Sequence, residues 1–189
     1  MRNLPWVILG LFGLILIMGA SSCVKEPVDV QYSSDDGIFR VPFGETYNYA
    51  DILVKRVVDG DTLELESGER VRLIGIDTPE IHESAKLHKD SQRTQQDITT
   101  IQKLGRRAYE FTKKLVEGKR VSLEFDTERY DRYKRLLAYV YLKDGTFVNA
   151  EIVKQGYASL MTFPPNIKYA DLFLKLYQEA RESRRGLWK

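Results

Sequence analysis

The chain has 189 residues, enough for one main domain, with 29 Lys and Arg against 27 Asp and Glu and a formal net charge of +2. So even a balance excludes a protein that coats nucleic acid by bulk positive charge, and any anion binding must come from local clusters. A single cysteine excludes an internal disulfide.

The first 23 residues stand apart from the rest. Arg2 supplies a minimal positive start, residues 4–18 form an apolar run, and Gly19-Ala20-Ser21-Ser22 is a small-residue cleavage region followed by Cys23. The run is short of the roughly 20 residues a spanning helix needs. The pattern is similar to a bacterial lipoprotein signal, in which Cys23 becomes the lipidated N-terminus, although Ala20 stands where such signals usually carry leucine. A plain signal peptide with an incidental thiol, or an uncleaved anchor, are the alternatives. Each version predicts an exported domain, either lipid-anchored to a membrane or secreted as a soluble protein.

Residues 24–50 read as a spacer. They contain the turn-rich Ser33-Ser34-Asp35-Asp36-Gly37 cluster and a weak strand at 39–43 that Pro42 demotes to an edge or loop. Residues 51–189 are expected to form the folded domain. Three strands open it, at 54–58, 62–66 and 71–76. Asp59-Gly60 gives a tight hairpin turn and Ser67-Gly68 a second, while Pro79 ends the third strand.

The turns and strand ends of this meander carry the chemistry. Asp61 lies at the first hairpin, Asp77, Thr78 and Glu80 at the exit of the third strand, and Arg72 within it. Carboxylates with a backbone carbonyl suit a hard cation such as calcium. An arginine beside them suits a phosphate, whose oxygens its planar fork can bind in pairs. Together they point to phosphoryl chemistry.

Residues 81–101 read as a long polar loop flanking the site, and they hold both histidines, His82 and His88. Their spacing with Glu83 fits no standard zinc motif, so both are expected to be solvated. An amphipathic helix is expected over 102–117, with Gly118 as its C-terminal stop, then strands at 120–125 and 135–142. The connection between these strands carries Tyr130, Arg132, Tyr133 and Lys134, a mixture of cations and aromatic rings that suits phosphates and bases. An ordinary charged hairpin tip is the plainer alternative. Asn149 is read as the cap of a short helix over 150–155, Pro164-Pro165 as a break, and 169–184 as the last helix, with Trp188 folding the tail back.

Three strands, a helix, two strands and two helices give an α+β domain, mainly a barrel with helices. The pattern is that of an OB-fold, a five-stranded Greek-key barrel, here with three helices.

DGDT at 59–62, RLIGIDTPE at 72–80 and DRYKRLLAYVY at 131–141 resemble the thermonuclease (staphylococcal-nuclease-like) family. The resemblance implies a calcium-dependent nuclease that hydrolyses DNA or RNA to 3′-phosphate products, working as a monomer on its nucleic-acid substrate. By motif position, Asp61 and Asp77 would be the calcium carboxylates and Thr78 a backbone ligand. Glu80 would be the general base, Arg72 and Arg135 the catalytic arginines, and Tyr133 a phosphate contact with Arg132 and Lys134 beside it. Lys134 stands where the family often has glycine. Phe163 lies where the family places tyrosines near the base, and would stack without a hydroxyl. The alternative is an OB-fold that has lost its chemistry and only grips nucleic acid or a protein. Clustered carboxylates argue against it, because they repel a phosphate backbone unless a cation lies between.

Overall fold

The computed structural model describes residues 49–189. The leader, Cys23 and the spacer up to residue 48 lie outside the described residues. Among the described residues no helix is long and apolar enough to cross a membrane.

Five strands close into a barrel in the order β1-β2-β3-β6-β5. Strand β1 (Ile52–Asp59) runs into β2 (Thr62–Leu65), and β2 into β3 (Arg70–Leu73). These pair as an antiparallel meander. Strand β3 then pairs parallel with β6 (Leu136–Leu142), β6 pairs antiparallel with β5 (Arg120–Glu124), and β5 returns to the start of β1. Two irregularities in the β1 ladder bend that strand so that one end serves β2 and the other β5. Val54, Val57, Leu63, Leu65, Val71, Leu73, Val121, Leu123, Leu136 and Ala138 are buried. In register, Val71 faces Leu136 and Leu123 faces Val140, so alternate residues fill the barrel and the intervening ones point outward.

The expected third strand over 71–76 is two strands. β3 ends at Leu73, and β4 (Gly75–Asp77) leaves the barrel to pair with β7 (Ser159–Met161). Gly75 makes the corner with φ +83°, and the Phe173 ring lies 2.5 Å from where a Cβ would sit. Only glycine meets both demands. The corner carries Asp77 out of the barrel wall and into the cleft.

The helix count also differs from expectation. There are four α-helices and a terminal 3-10 turn among the described residues, not three helices. The expected loop at 81–101 contains α1 (Ala85–Thr94), capped by Ser84, whose Oγ accepts the Leu87 N–H at 3.1 Å. Leu87 is fully buried and pins this helix. Helix α2 (Ile98–Val116) begins four residues before the expected 102, because Asp97 caps it through the Thr100 N–H at 2.8 Å. Gly118 stands just past its end at φ +73° and donates to the Val54 carbonyl, as a helix stop should.

Helix α3 (Val148–Lys154) starts before Asn149, so that residue is not its cap. The buried Asn149 side chain instead ties three segments together. Its Oδ1 accepts the Val140 N–H at 3.0 Å and its Nδ2 donates to the Ile74 carbonyl at 3.0 Å and, at 3.4 Å, to that of Ala138. Helix α4 (Ala170–Glu182) then covers the outer face of β6. There Tyr139, Tyr141, Phe147, Tyr169 and Phe173 form an aromatic cluster with centroid spacings of 4.7 Å for Tyr139–Tyr169 and Tyr141–Phe147. Trp188 returns to α4, edge-on to Tyr177 at 5.5 Å.

Candidate active site

One cleft of about 820 Å³ opens on the barrel between the β3–β4 corner, the 126–135 connection and the segment after β7. Asp61, Arg72, Asp77, Glu80, Arg132, Tyr133, Arg135 and Phe163 all line it. Sites separated by more than a hundred residues in sequence thus meet in one place.

The floor is built by the hairpin and the strand exit. Asp61 is 5% exposed and its charge is supported from four sides. Oδ2 accepts the Thr78 N–H at 2.8 Å and the Thr78 hydroxyl at 3.0 Å, and it pairs with Arg72 Nη1 at 2.8 Å. Oδ1 accepts the Thr62 hydroxyl at 3.1 Å. The other arm of the same guanidinium, Nη2, reaches Asp77 Oδ1 at 3.0 Å. Arg72 therefore holds the two carboxylates side by side. Its own stem is fixed by position in β3, where Arg72 pairs with Thr62.

Glu80 is positioned from behind by α2. Gly105 abuts the backbone there: a Cβ would sit 2.5 Å from the Pro79 carbonyl oxygen and 2.7 Å from that of Glu80. Gln102 Nε2 donates to the Ile81 carbonyl at 3.1 Å. Two turns beyond Gly105, Thr112 donates to the Gly60 carbonyl at 2.7 Å, fixing the hairpin next to Asp61. One helix thus sets both ends of the cleft floor.

The opposite wall carries Arg135. Its Nε donates to Asp131 Oδ2 at 2.7 Å, while Asp131 Oδ1 accepts the N–H groups of Tyr133 and Arg135, each at 2.9 Å. Burial works against the Asp131 anion, but these hydrogen bonds and the Arg135 charge outweigh it and hold the carboxyl below its usual range. Lys134 sits at the tip of this turn with φ +62°, the left-handed region, which accounts for the glycine preferred there in the family pattern. Tyr133 and Phe163 are 65% and 68% exposed at the rim, with rings available for stacking. Arg132 lies over the Tyr133 ring at 4.8 Å. Asn166 couples the two rim segments: its Oδ1 accepts the Glu128 N–H at 2.8 Å and its Nδ2 donates to the Glu128 carbonyl at 2.9 Å.

Thr78 adjoins the floor beside Asp61, to which it donates its backbone N–H and its hydroxyl. His82 and His88 are exposed, and His88 Nε2 lies 3.4 Å from Glu83, away from the cleft. Sequence reading had passed over Asp131, Asn166 and Gly105. Asp131 left a signal, an acid four residues before an arginine. The other two act through backbone contacts that no local pattern encodes.

The donor chemistry of the floor bears on a metal. The floor brings the carboxylates Asp61, Asp77 and Glu80 together with the single guanidinium of Arg72, so it is net negative. Among the described residues there is no group of three or more His, Cys, Asp or Glu side chains arranged to hold an ion. The all-oxygen pair Asp61 and Asp77 still fits a hard cation that takes one or two carboxylates and completes its shell with water and phosphate oxygens.

The profile of the family described as staphylococcal nuclease homologue matches residues 70–189. The chain is 40% identical over 166 residues to a thermonuclease of Staphylococcus intermedius, covering 84% of this chain and 88% of that protein. It is 30% identical over 179 residues to a thermonuclease of Staphylococcus hyicus, covering 93% and 95%. Endonuclease YncB of Bacillus subtilis is 34% identical over 142 residues, covering 72% of this chain and 61% of that protein. The cleft, the barrel and these matches agree: the chain belongs to the staphylococcal nuclease homologue family.

Proposed function

We propose that the protein is a nuclease that hydrolyses phosphodiester bonds of DNA, RNA or both, with calcium as its metal and 3′-phosphates as its products. The observation that carries this reading is the Arg72 guanidinium bridging Asp61 and Asp77 in the same cleft as Glu80 and Arg135. The relatives that carry nuclease names support it.

The reactive phosphodiester lies between the floor and Arg135. Arg72 and Arg135 direct N–H groups at its non-bridging oxygens, where charge builds as the phosphorus becomes five-coordinate. Glu80 accepts a proton from the attacking water as the new P–O bond forms and the bond to the 5′ oxygen breaks. That oxygen leaves as a hydroxyl, taking its proton from water, because a guanidinium hardly deprotonates. Asp61 and Asp77 would hold a divalent cation, which would supply the positive charge that lets a polyanion approach the acidic floor. Calcium accepts irregular oxygen shells more readily than magnesium, which suits a site with two protein carboxylates and one exposed side.

We also read residues 1–23 as an export signal and Cys23 as a lipid site, on the charged start, apolar run and small residues before the cysteine. The enzyme would then face nucleic acid outside the cytoplasm.

The test incubates the full-length protein with single-stranded DNA and with RNA, in calcium, in magnesium and in EDTA, and analyses the ends. Cleavage in calcium that stops in EDTA and leaves 3′-phosphates is expected. Binding of either polymer without cleavage in any divalent metal would overturn the reading in favour of a binding module.

A further inference from the structure

Strand β3 carries a second outward arginine. Arg70 precedes Arg72 by two residues, so both project from the same face of the strand, about 6.7 Å apart along it. Arg70 lines the same cleft and is exposed. Its register partner across the β2–β3 ladder is the carboxylate Glu64. Glu64 is already engaged, by Arg56 Nη2 at 2.5 Å and by Lys55 Nζ at 3.5 Å. Arg70 makes no ion pair with any described residue.

Its other side faces more positive charge. In the parallel β3–β6 ladder Val71 pairs with Leu136 and Arg72 with Leu137. Continuing that register back by one residue sets Arg70 beside Arg135, at the roughly 4.8 Å spacing of neighbouring strands. Arg70, Arg72 and Arg135 therefore line one cleft. Arg72 is balanced by Asp61 and Asp77, and Arg135 by Asp131. Arg70 pairs with no carboxylate among the described residues. Like charges this close repel one another, and an anion laid across them relieves the repulsion.

We propose that Arg70 binds the phosphate next to the reactive one on the same strand. This rests on the nuclease reading and deepens it: the substrate is an extended single-stranded polynucleotide, recognised by at least two consecutive phosphates. The two-residue step between Arg70 and Arg72 is close to the length that one extended nucleotide adds to a strand. A cleft with arginines at that repeat grips a polymer better than an isolated diester. Arg70 touches no reacting atom and acts on binding, not on the chemical step.

The experiment compares full-length wild type, Arg70→Ala and Arg70→Lys on two substrates, the oligonucleotide dT12 and the dinucleoside monophosphate TpT, which has one phosphodiester and no neighbouring phosphate. Wild type is expected to prefer dT12 in kcat/KM. Arg70→Ala is expected to narrow that preference by roughly threefold to tenfold, through KM, with Arg70→Lys restoring part of it. In a Glu80→Gln background, in which cleavage is slowed about 10²-fold or more, the dependence of log Kobs for dT12 on log salt is expected to lose about 0.7 from its slope, the share of one phosphate on a single strand. Equal losses on the two substrates, or an unchanged preference and slope, would overturn the Arg70 assignment while leaving the nuclease intact. Failure of wild type to cleave either substrate in any divalent metal would instead refute the nuclease reading.

Discussion

Gly105 offers the sharpest prediction about how the fold serves the site, because two well-sized effects oppose each other there. It lies in the interior of α2, where replacing glycine by alanine ordinarily favours the helix by about 0.8–1.0 kcal/mol. Here the added methyl would sit 2.5 Å from the Pro79 carbonyl oxygen and 2.7 Å from that of Glu80. Even a favourable C–H···O contact needs about 3.3 Å, so the 79–80 backbone must retreat by about 0.8 Å. Overpacking of this kind costs about 1–3 kcal/mol, which exceeds the helix gain and leaves a net loss of about 1 kcal/mol. The larger effect falls on catalysis. A shift approaching 1 Å at Glu80 is worth up to about 10²-fold in rate, or about 2.7 kcal/mol in the barrier. Gly105→Ala should therefore lose far more in kcat than its stability loss would suggest. Denaturant unfolding and single-turnover cleavage of labelled single-stranded DNA on the same preparation measure both. A variant that gains about 1 kcal/mol and cleaves at the wild-type rate would refute the argument that α2 sets the position of Glu80.

Further expectations concern the rim and the aromatic core. Lys134→Gly should remove the cost of a left-handed backbone, up to about 1 kcal/mol, partly offset by the extra freedom of glycine in the unfolded chain. It should also raise KM by removing a cation; a clear fall in melting temperature would contradict this. Asp131 has a depressed pKa in the fold, so its contribution to stability is complete above its unfolded value, near 3.9, and is lost as pH falls through the lower folded value. Asp131→Asn should accordingly flatten the stability profile below about pH 4 and raise KM by releasing Arg135, and an unchanged acid limb would count against it. Burial, foremost, and the nearby Glu124 charge raise the Tyr141 pKa. The folded state keeps that proton when the unfolded chain has lost it, so stability is complete below about pH 10 and declines above it. Tyr141→Phe should soften this alkaline decline in urea melts taken between pH 9 and 11; a profile parallel to wild type would refute the assignment.

Much of the site is readable along the chain because its residues cluster at turns that the sequence marks strongly. Asp59-Gly60 fixes the hairpin beside Asp61, and Pro79 fixes the strand exit beside Asp77 and Glu80. The barrel follows from alternation in β2, β5 and β6, whose even residues and odd residues face different surroundings. Other features escaped for definite reasons. The break between β3 and β4 depends on Gly75 meeting Phe173, nearly a hundred residues away, and periodicity across 71–76 runs on undisturbed. The polar composition of 81–101 hid α1, in which Leu87 is the one buried anchor among the described side chains, too little for an amphipathic stripe. Asn149 has the composition of a cap, but its side chain is claimed by Ile74, Ala138 and Val140. Local chemistry marked a turn former there, and tertiary hydrogen bonds decided its use.

In the proposed function, the cleft joining Asp61, Arg72, Asp77, Glu80 and Arg135 hydrolyses phosphodiesters with Glu80 as the base. The most direct test measures cleavage and binding together for the full-length protein and Glu80→Gln on labelled single-stranded DNA in calcium. A loss of about 10²-fold or more in kcat, with Kd within a few-fold of wild type, is the predicted result. Cleavage by Glu80→Gln at the wild-type rate would place the chemistry elsewhere and contradict the account.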